Sequence, residues 1–178
     1  MPFLFLALSF SLSVNNKLIF DFNKNCALNK WIVVNDDVMG GKSNGKLILN
    51  KAGNAVFKGE VSLENNGGFS SIRYKMKKTT TPKKSYISMK IRGDGKRYQL
   101  RIKEKSNDYY SYVKYFQTSN VWEEIKIPIN SMYPSFRGRK IDKENFNKTS
   151  IEEIGFLIGN KKQEKFNLEI DKIELSTK

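Results

Sequence analysis

A chain of 178 residues lies inside the range of one domain, and folding should bury roughly 70% of the surface that the unfolded chain exposes. An apolar share of 39%, with 12 Phe, 8 Tyr and only 4 Pro, belongs to a chain with a packed core and excludes disorder as its resting state. The absence of His removes imidazole-based triads and metal sites, the lone Cys26 excludes an intrachain disulfide or thiolate cluster, and a net charge of +14 favours anionic partners without specifying a fold.

Met1 to Val14 form an apolar run interspersed with Ser, too short to span a bilayer and of the length of a signal-peptide core. The charged leading segment is missing, while Ser11-Leu12-Ser13 offers small residues at the positions a signal peptidase reads. Two readings stand: export to the periplasm or envelope with cleavage after Ser13, or a cytoplasmic chain whose opening run is a first edge strand or the product of a mis-assigned start codon. Residues 1–16 are therefore expected to be a signal peptide or disordered start, and residues 17–178 one domain.

Beyond Asn15-Asn16, short alternating runs are separated by Gly, Asn, Asp and Lys clusters that read as turns. The predicted strands are 18–22, 31–34, 46–49, 55–62, 69–75, 86–92, 97–103, 112–118, 123–129, 153–158 and 166–175. No helical period of useful length occurs, so the fold class is all-β, an antiparallel sandwich or barrel. Residues 86–103 are predicted to form a hairpin closed by Asp94-Gly95 in a type I′ turn, with Tyr98, Leu100 and Ile102 facing the core and Arg97, Gln99, Arg101 and Lys103 facing out. Met132 to Thr149 reads as the one long loop.

Several motifs fail on inspection. Gly41-Lys42-Ser43 resembles the end of a phosphate-binding loop, but Asp36 stands where the leading Gly belongs and a strand follows in place of a helix. Asp36-Asp37, Glu123-Glu124 and Glu152-Glu153 are adjacent carboxylates, which a strand points to opposite faces, so they do not make a glycosidase pair. Aromatics from Tyr109 to Phe116, interleaved with Lys114 and near Arg97 and Arg101, suit stacking on bases or sugar rings, and the opposing expectation is that alternate members are core. No nucleic-acid-binding consensus accompanies them, and nucleic acid stays an unfavoured partner.

Two segments carry more information: Trp31-Ile-Val-Val-Asn-Asp-Asp-Val-Met-Gly-Gly-Lys-Ser43, and Phe57 through Asn65-Asn66-Gly67-Gly68-Phe69-Ser70-Ser71-Ile72-Arg73. Both resemble the signature blocks of the complex I intermediate-associated protein 30 family. The resemblance continues through Gly93-Asp94-Gly95-Lys-Arg-Tyr98, Trp122, Ile127-Pro128, Pro134-Ser-Phe-Arg137-Gly138-Arg139 and Ile154-Gly155-Phe-Leu-Ile158, so it covers the chain from about Phe20 to Leu175. Asp37 departs from the Gly usual in the family, and Asn130-Ser131-Met132 departs from its aromatic-rich stretch.

The resemblance implies a galactose-binding-like jelly-roll sandwich related to carbohydrate-binding modules. It implies a non-catalytic role without cofactor or metal, in which mitochondrial members act as assembly chaperones on membrane-arm intermediates of respiratory complex I. A protein partner of this kind is the first expectation, with carbohydrate bound on a concave sheet face as the alternative. Gly40, Gly41, Gly67 and Gly68 are expected where the chain needs positive φ or close backbone approach, and Trp31 and Phe69 in the core.

Asp36, Ser43, Asn65, Asn66 and Arg73 are candidate binding residues, although a buried network with Asn35 outranks a ligand site because buried polar groups require satisfied partners. Arg137 and Arg139 are the exposed candidates, because paired guanidinium forks grip carboxylate or phosphate, and Arg92, Arg97, Arg101 and Tyr98 are expected to extend their surface. The opposing expectation is that Arg137 or Arg139 pairs internally with Asp36 or Asp94.

Overall fold

The computed structural model describes residues 15–177, so the expected signal or disordered start falls almost wholly outside the described residues. The strands are β1 (Asn15–Asp21), β2 (Trp31–Asn35), β3 (Asn44–Leu49), β4 (Ala55–Val61), β5 (Ser70–Thr80), β6 (Ser85–Arg92), β7 (Arg97–Lys103), β8 (Ser111–Gln117), β9 (Glu123–Pro128), β10 (Tyr133–Phe136), β11 (Arg139–Lys140), β12 (Ser150–Ile158) and β13 (Glu164–Thr177). They form two antiparallel sheets. A seven-stranded front sheet runs β11-β10-β8-β7-β12-β5-β2, and a six-stranded back sheet runs β3-β4-β13-β6-β9 with β1 also on β13.

Alternation decides which side chains the sandwich encloses. On the front sheet Tyr98, Leu100 and Ile102 of β7 and Ile154, Phe156 and Ile158 of β12 are buried. Phe166, Leu168 and Ile170 of β13 and Ile87, Met89 and Ile91 of β6 meet them from the back sheet. Each such side chain contributes about 1.5–3 kcal/mol through the apolar area removed from water. Phe20, Phe22, Trp31 and Tyr74 close one end of the core, with the Trp31 and Tyr74 rings stacked at 5.3 Å. Phe69, expected in the core, is only half-buried.

Two expectations about connectivity are corrected. Residues 86–103 are not a hairpin: β6 pairs with β13 and β9 in the back sheet, whereas β7 pairs with β8 and β12 in the front sheet. Of Asp94 and Gly95 only Gly95 has positive φ, at 77°, and a type I′ turn needs two such residues. The Gly93–Lys96 segment instead crosses from one sheet to the other. It packs so closely on Thr118 that a Cβ at Gly93 would lie 2.1 Å from the Thr118 hydroxyl oxygen.

The stretch from Met132 to Thr149 is not a single long loop. It contains β10 and β11, joined by Arg137 (φ 47°) and Gly138 (φ 76°), which is the I′ geometry that residues 94–95 lack. Pro134 argues against a strand on sequence grounds, but it sits near the sheet edge, pairs in register with Tyr112, and accepts the Ile141 N–H at 3.2 Å.

Candidate binding face and the clasp behind the signature residues

Asp36 begins a one-turn 3-10 segment after β2, and its carboxylate is the hub of a buried clasp. It accepts the Ser43 N–H (3.0 Å) and hydroxyl (2.5 Å), and the N–H groups of Gly68 (2.5 Å) and Phe69 (3.2 Å). Burial alone would raise its pKa, but the Ser43, Gly68 and Phe69 bonds outweigh that and hold it below the ordinary carboxylate value. Gly41 and Gly67 press against this carboxylate: a Cβ on either would come within 2.3 Å and 2.6 Å of its oxygens. Gly40 (φ 82°) and Gly68 (φ 142°) supply left-handed backbone on either side.

Asn35 completes the join, accepting from Gly45 N–H at 3.0 Å and the Ser70 hydroxyl at 2.7 Å, so one side chain ties β3 to β5. Asn65 and Asn66 both adopt positive φ, and Asn65 donates to the Gly40 carbonyl at 2.9 Å. The two signature segments thus close one end of the sandwich. Asp36 and Ser43 make these hydrogen bonds inside the protein, the arrangement expected of a buried network with Asn35.

Tyr98, a candidate for the Arg137 surface, is fully buried, and its hydroxyl donates to Asp94 at 3.0 Å. Burial first, and the Asp94 charge second, push its pKa far above the ordinary tyrosine value. Asp94 also accepts the Asn167 N–H at 2.9 Å and pairs with Lys96 at 2.9 Å, so this carboxylate pins the crossing segment to β13.

The arginines divide into three groups. Arg92 lies on the outer face of the back sheet, paired with Glu169 at 2.7 Å and 5.4 Å above the Trp122 ring, and so does not extend the Arg137 surface. Arg137 and Arg139 stand at the exposed β10–β11 turn, with Arg137 5.3 Å over Phe136 and Tyr109 packed edge-on against the same ring. Asp36 and Asp94 are fully engaged elsewhere, and among the described residues no ion pair reaches either arginine.

Arg73, Arg97 and Arg101 come together on the outer face of the front sheet. In β7 the inward Tyr98, Leu100 and Ile102 leave Arg97, Gln99 and Arg101 pointing out. Gly155 of β12 lies opposite Arg101 on one side and Arg73 of β5 on the other, so three strands bring two guanidinium groups to a residue with no side chain. Ile32 of β2 flanks Arg73 and is 50% exposed.

Beyond Arg101 the face carries Tyr115 of β8 and Tyr133 of β10, both half-buried. Arg101 Nη1 donates to Gln99 Oε1 at 2.8 Å, and Gln99 Nε2 donates to Tyr115 Oη at 2.8 Å. Because guanidinium only donates, this orientation of the Gln99 amide follows from the network. Arg97 stacks on the Tyr115 ring at 4.3 Å and donates to Asn160 Oδ1. Next to it a cleft of about 360 Å³ opens between Gly95, Gln117, Asn160 and Glu164. The gathering of Arg73 with Arg101 escapes sequence reasoning, since residues 73, 101 and 155 meet only through register.

The sequence profile of the complex I intermediate-associated protein 30 family matches residues 20–170. The chain belongs to that family. It is 31% identical over 183 residues to complex I intermediate-associated protein 30, mitochondrial, of Drosophila melanogaster, covering 89% of this chain and 62% of that protein. Identity to the protein of the same name in Mus musculus is 27%, covering 90% of this chain and 56% of that one. The chain therefore spans little more than half the length of these relatives, and their mitochondrial designation lends no support to export through a signal peptide.

Among solved structures, the family 11 carbohydrate-binding module of the cellulase Lic26A-Cel5E of Clostridium thermocellum superposes with a TM-score of 0.65 at 21% identity, covering 92% of this chain and 95% of that one. The family 11 module from Clostridium thermocellum in complex with a β-1,3-1,4-mixed-linked tetrasaccharide gives 0.64 at 22% identity, covering 92% and 96%. This likeness shows the fold: a galactose-binding-like jelly-roll sandwich.

Proposed function

We propose that this chain is a non-catalytic binding module that holds a protein partner, an intermediate in the assembly of a membrane-bound complex, against the outer face of its front sheet. Membership of a family whose relatives are named as intermediate-associated proteins carries the reading. The face itself supports it: it carries the guanidinium donors of Arg97 and Arg101 near half-buried Tyr133, and Arg73 beside exposed Ile32, a mixture of polar forks and apolar surface suited to protein recognition. Among the described residues no helix is long and apolar enough to cross a membrane, so contact with such a complex would run through its exposed segments or through other parts of the protein.

Affinity capture of the tagged protein from its own cells, at low and moderate salt with identification by mass spectrometry, tests the proposal. Recovery of respiratory-complex or other membrane-assembly subunits that survive moderate salt supports it. Recovery of no protein partner overturns it.

Carbohydrate binding is the second reading, favoured by Tyr115 and Tyr133 on a face of the sheet and by the fold shared with carbohydrate-binding modules. The Tyr115 ring, however, has one side covered by Arg97, which leaves less aromatic surface for a sugar ring. Glycan recovered in place of protein in the same capture would select this reading.

A further inference from the structure

We infer that the notch over Gly155, between Arg73 and Arg101, receives a carboxylate from an acidic, aliphatic segment of the protein partner. The inference rests on the protein-binding reading and gives its contact a chemistry.

Arg101 is half-buried, and its neighbouring charges are the cation Arg73, which acts on it more strongly, and the carboxylate of Glu153. Burial and that like charge depress its pKa to about 10. Buried charges ordinarily find a counter-ion, yet among the described residues no ion pair reaches Arg73 or Arg101. The acid nearby, Glu153, is buried and faces Lys103 at 3.9 Å.

The pair is also preset for an anion. Gln99 takes Nη1 of Arg101 and holds the guanidinium plane, leaving its other donors for a ligand. Gly155 places no side chain between the arginines, since β5 packs so closely that a Cβ there would lie 2.4 Å from the Ile72 carbonyl oxygen, and planar carboxylates match paired guanidinium donors in bidentate fashion. Ile32 and Val34 follow Arg73 and Ser71 in register at the β2 edge, and Leu157 stands beside Gly155 on β12, so aliphatic surface adjoins the cationic notch. An occupant combining carboxylate and aliphatic groups fits this surface. A polyphosphate chain would leave the aliphatic edge uncovered, and an uncharged sugar would leave the two cations uncompensated.

Fluorescence anisotropy with a labelled peptide of alternating Glu and Leu, in moderate salt, tests the notch. Changing the peptide Glu to Gln, or changing Arg73→Gln or Arg101→Gln in the protein, should each weaken binding at least about tenfold, as loss of a charge-assisted pair does. Lys126→Gln with Lys172→Gln on the back sheet removes more charge and should change binding less than about twofold. Arg101→Met should leave the Tm unchanged or raised, because it removes a half-buried charge that has no ion-pair partner among the described residues, and Arg73→Gln provides an independent site if Arg101 variants fold poorly.

Failure of the wild-type protein to bind the peptide, equal losses from the back-sheet variants, or tighter Arg101-dependent binding of oligogalacturonate or oligo-dT would overturn the proposal. Partner capture from cells that survives Arg101→Gln would overturn the notch alone, whereas wild-type protein that captures no partner overturns the protein-binding reading beneath it.

Discussion

Asp36 Oδ2 accepts the backbone N–H of Gly68 at 2.5 Å, across 32 residues of sequence. That contact joins two glycine-rich segments that lie far apart in the chain. A carboxylate that collects several donors needs backbone on both sides, and Gly41 and Gly67 supply it by lacking a Cβ. The signature residues shape one end of the fold, while the candidate binding face lies on the front sheet.

Replacing Asp36 by Asn keeps the shape but removes the charge and turns one acceptor into a donor facing N–H groups. The expected loss is about 2–4 kcal/mol of unfolding free energy, measured by urea denaturation at neutral pH. The pH dependence has a definite sign. A carboxylate whose folded pKa is depressed stabilises fully above its unfolded value of about 3.9 and loses that contribution as pH falls through the folded value. The gap between wild type and D36N should therefore narrow as pH drops below about 4.

Tyr98 gives the opposite slope. Its folded pKa is raised, so its contribution is complete below the unfolded value of about 10 and declines as pH rises beyond it. Tyr98→Phe should cost about 1 kcal/mol near neutral pH, through the lost bond to Asp94, and should flatten alkaline denaturation. Partner capture by Y98F should match wild type, and a selective loss of capture would return this residue to the binding surface.

Gly67→Ala and Gly138→Ala separate close approach from backbone conformation. At Gly67 the new Cβ meets Asp36 at 2.6 Å and the Ser62 carbonyl at 2.8 Å, so G67A should lose about 2–3 kcal/mol. Gly138 has open space around it and only a φ of 76° to resist substitution, so G138A should lose about 1 kcal/mol. Thermal denaturation of both variants gives the order, and a reversed order would contradict the clasp.

Much of this fold was legible because alternation is a local signal. The run from Arg97 to Lys103 declares its own inner and outer faces, and the structure places Leu100 and Arg101 accordingly. Pairing is not local. Nothing between Tyr86 and Lys103 says that the chain changes sheets at Gly93, because a glycine-rich crossing and a glycine-rich hairpin turn have the same composition. The β10–β11 hairpin was hidden for a related reason: Pro134 signals a strand break unless its edge position is known. The site was the least legible part, since Arg73 and Arg101 become neighbours only when β5 and β7 both take β12 as partner.

Arg92 offers a check on that geometry. It matches Arg97 and Arg101 in residue type and lies close to them in sequence, but it sits on the opposite sheet, half-exposed and paired with Glu169. Arg92→Gln should change stability by less than about 1 kcal/mol and leave partner capture intact at moderate salt. A loss of capture equal to that of Arg101→Gln would move the interface to the back sheet.

Site-specific photo-cross-linking in cells tests most directly whether the partner sits on the front sheet. A benzophenone amino acid would replace Tyr115 on that face, Trp122 near Arg92 on the back sheet, or Phe136 beside the Arg137 turn, one position at a time. With the partner on the front sheet, a protein adduct forms from the Tyr115 position and none from Trp122. An adduct confined to Trp122 or Phe136, with Tyr115 silent in a folded protein, would contradict that placement.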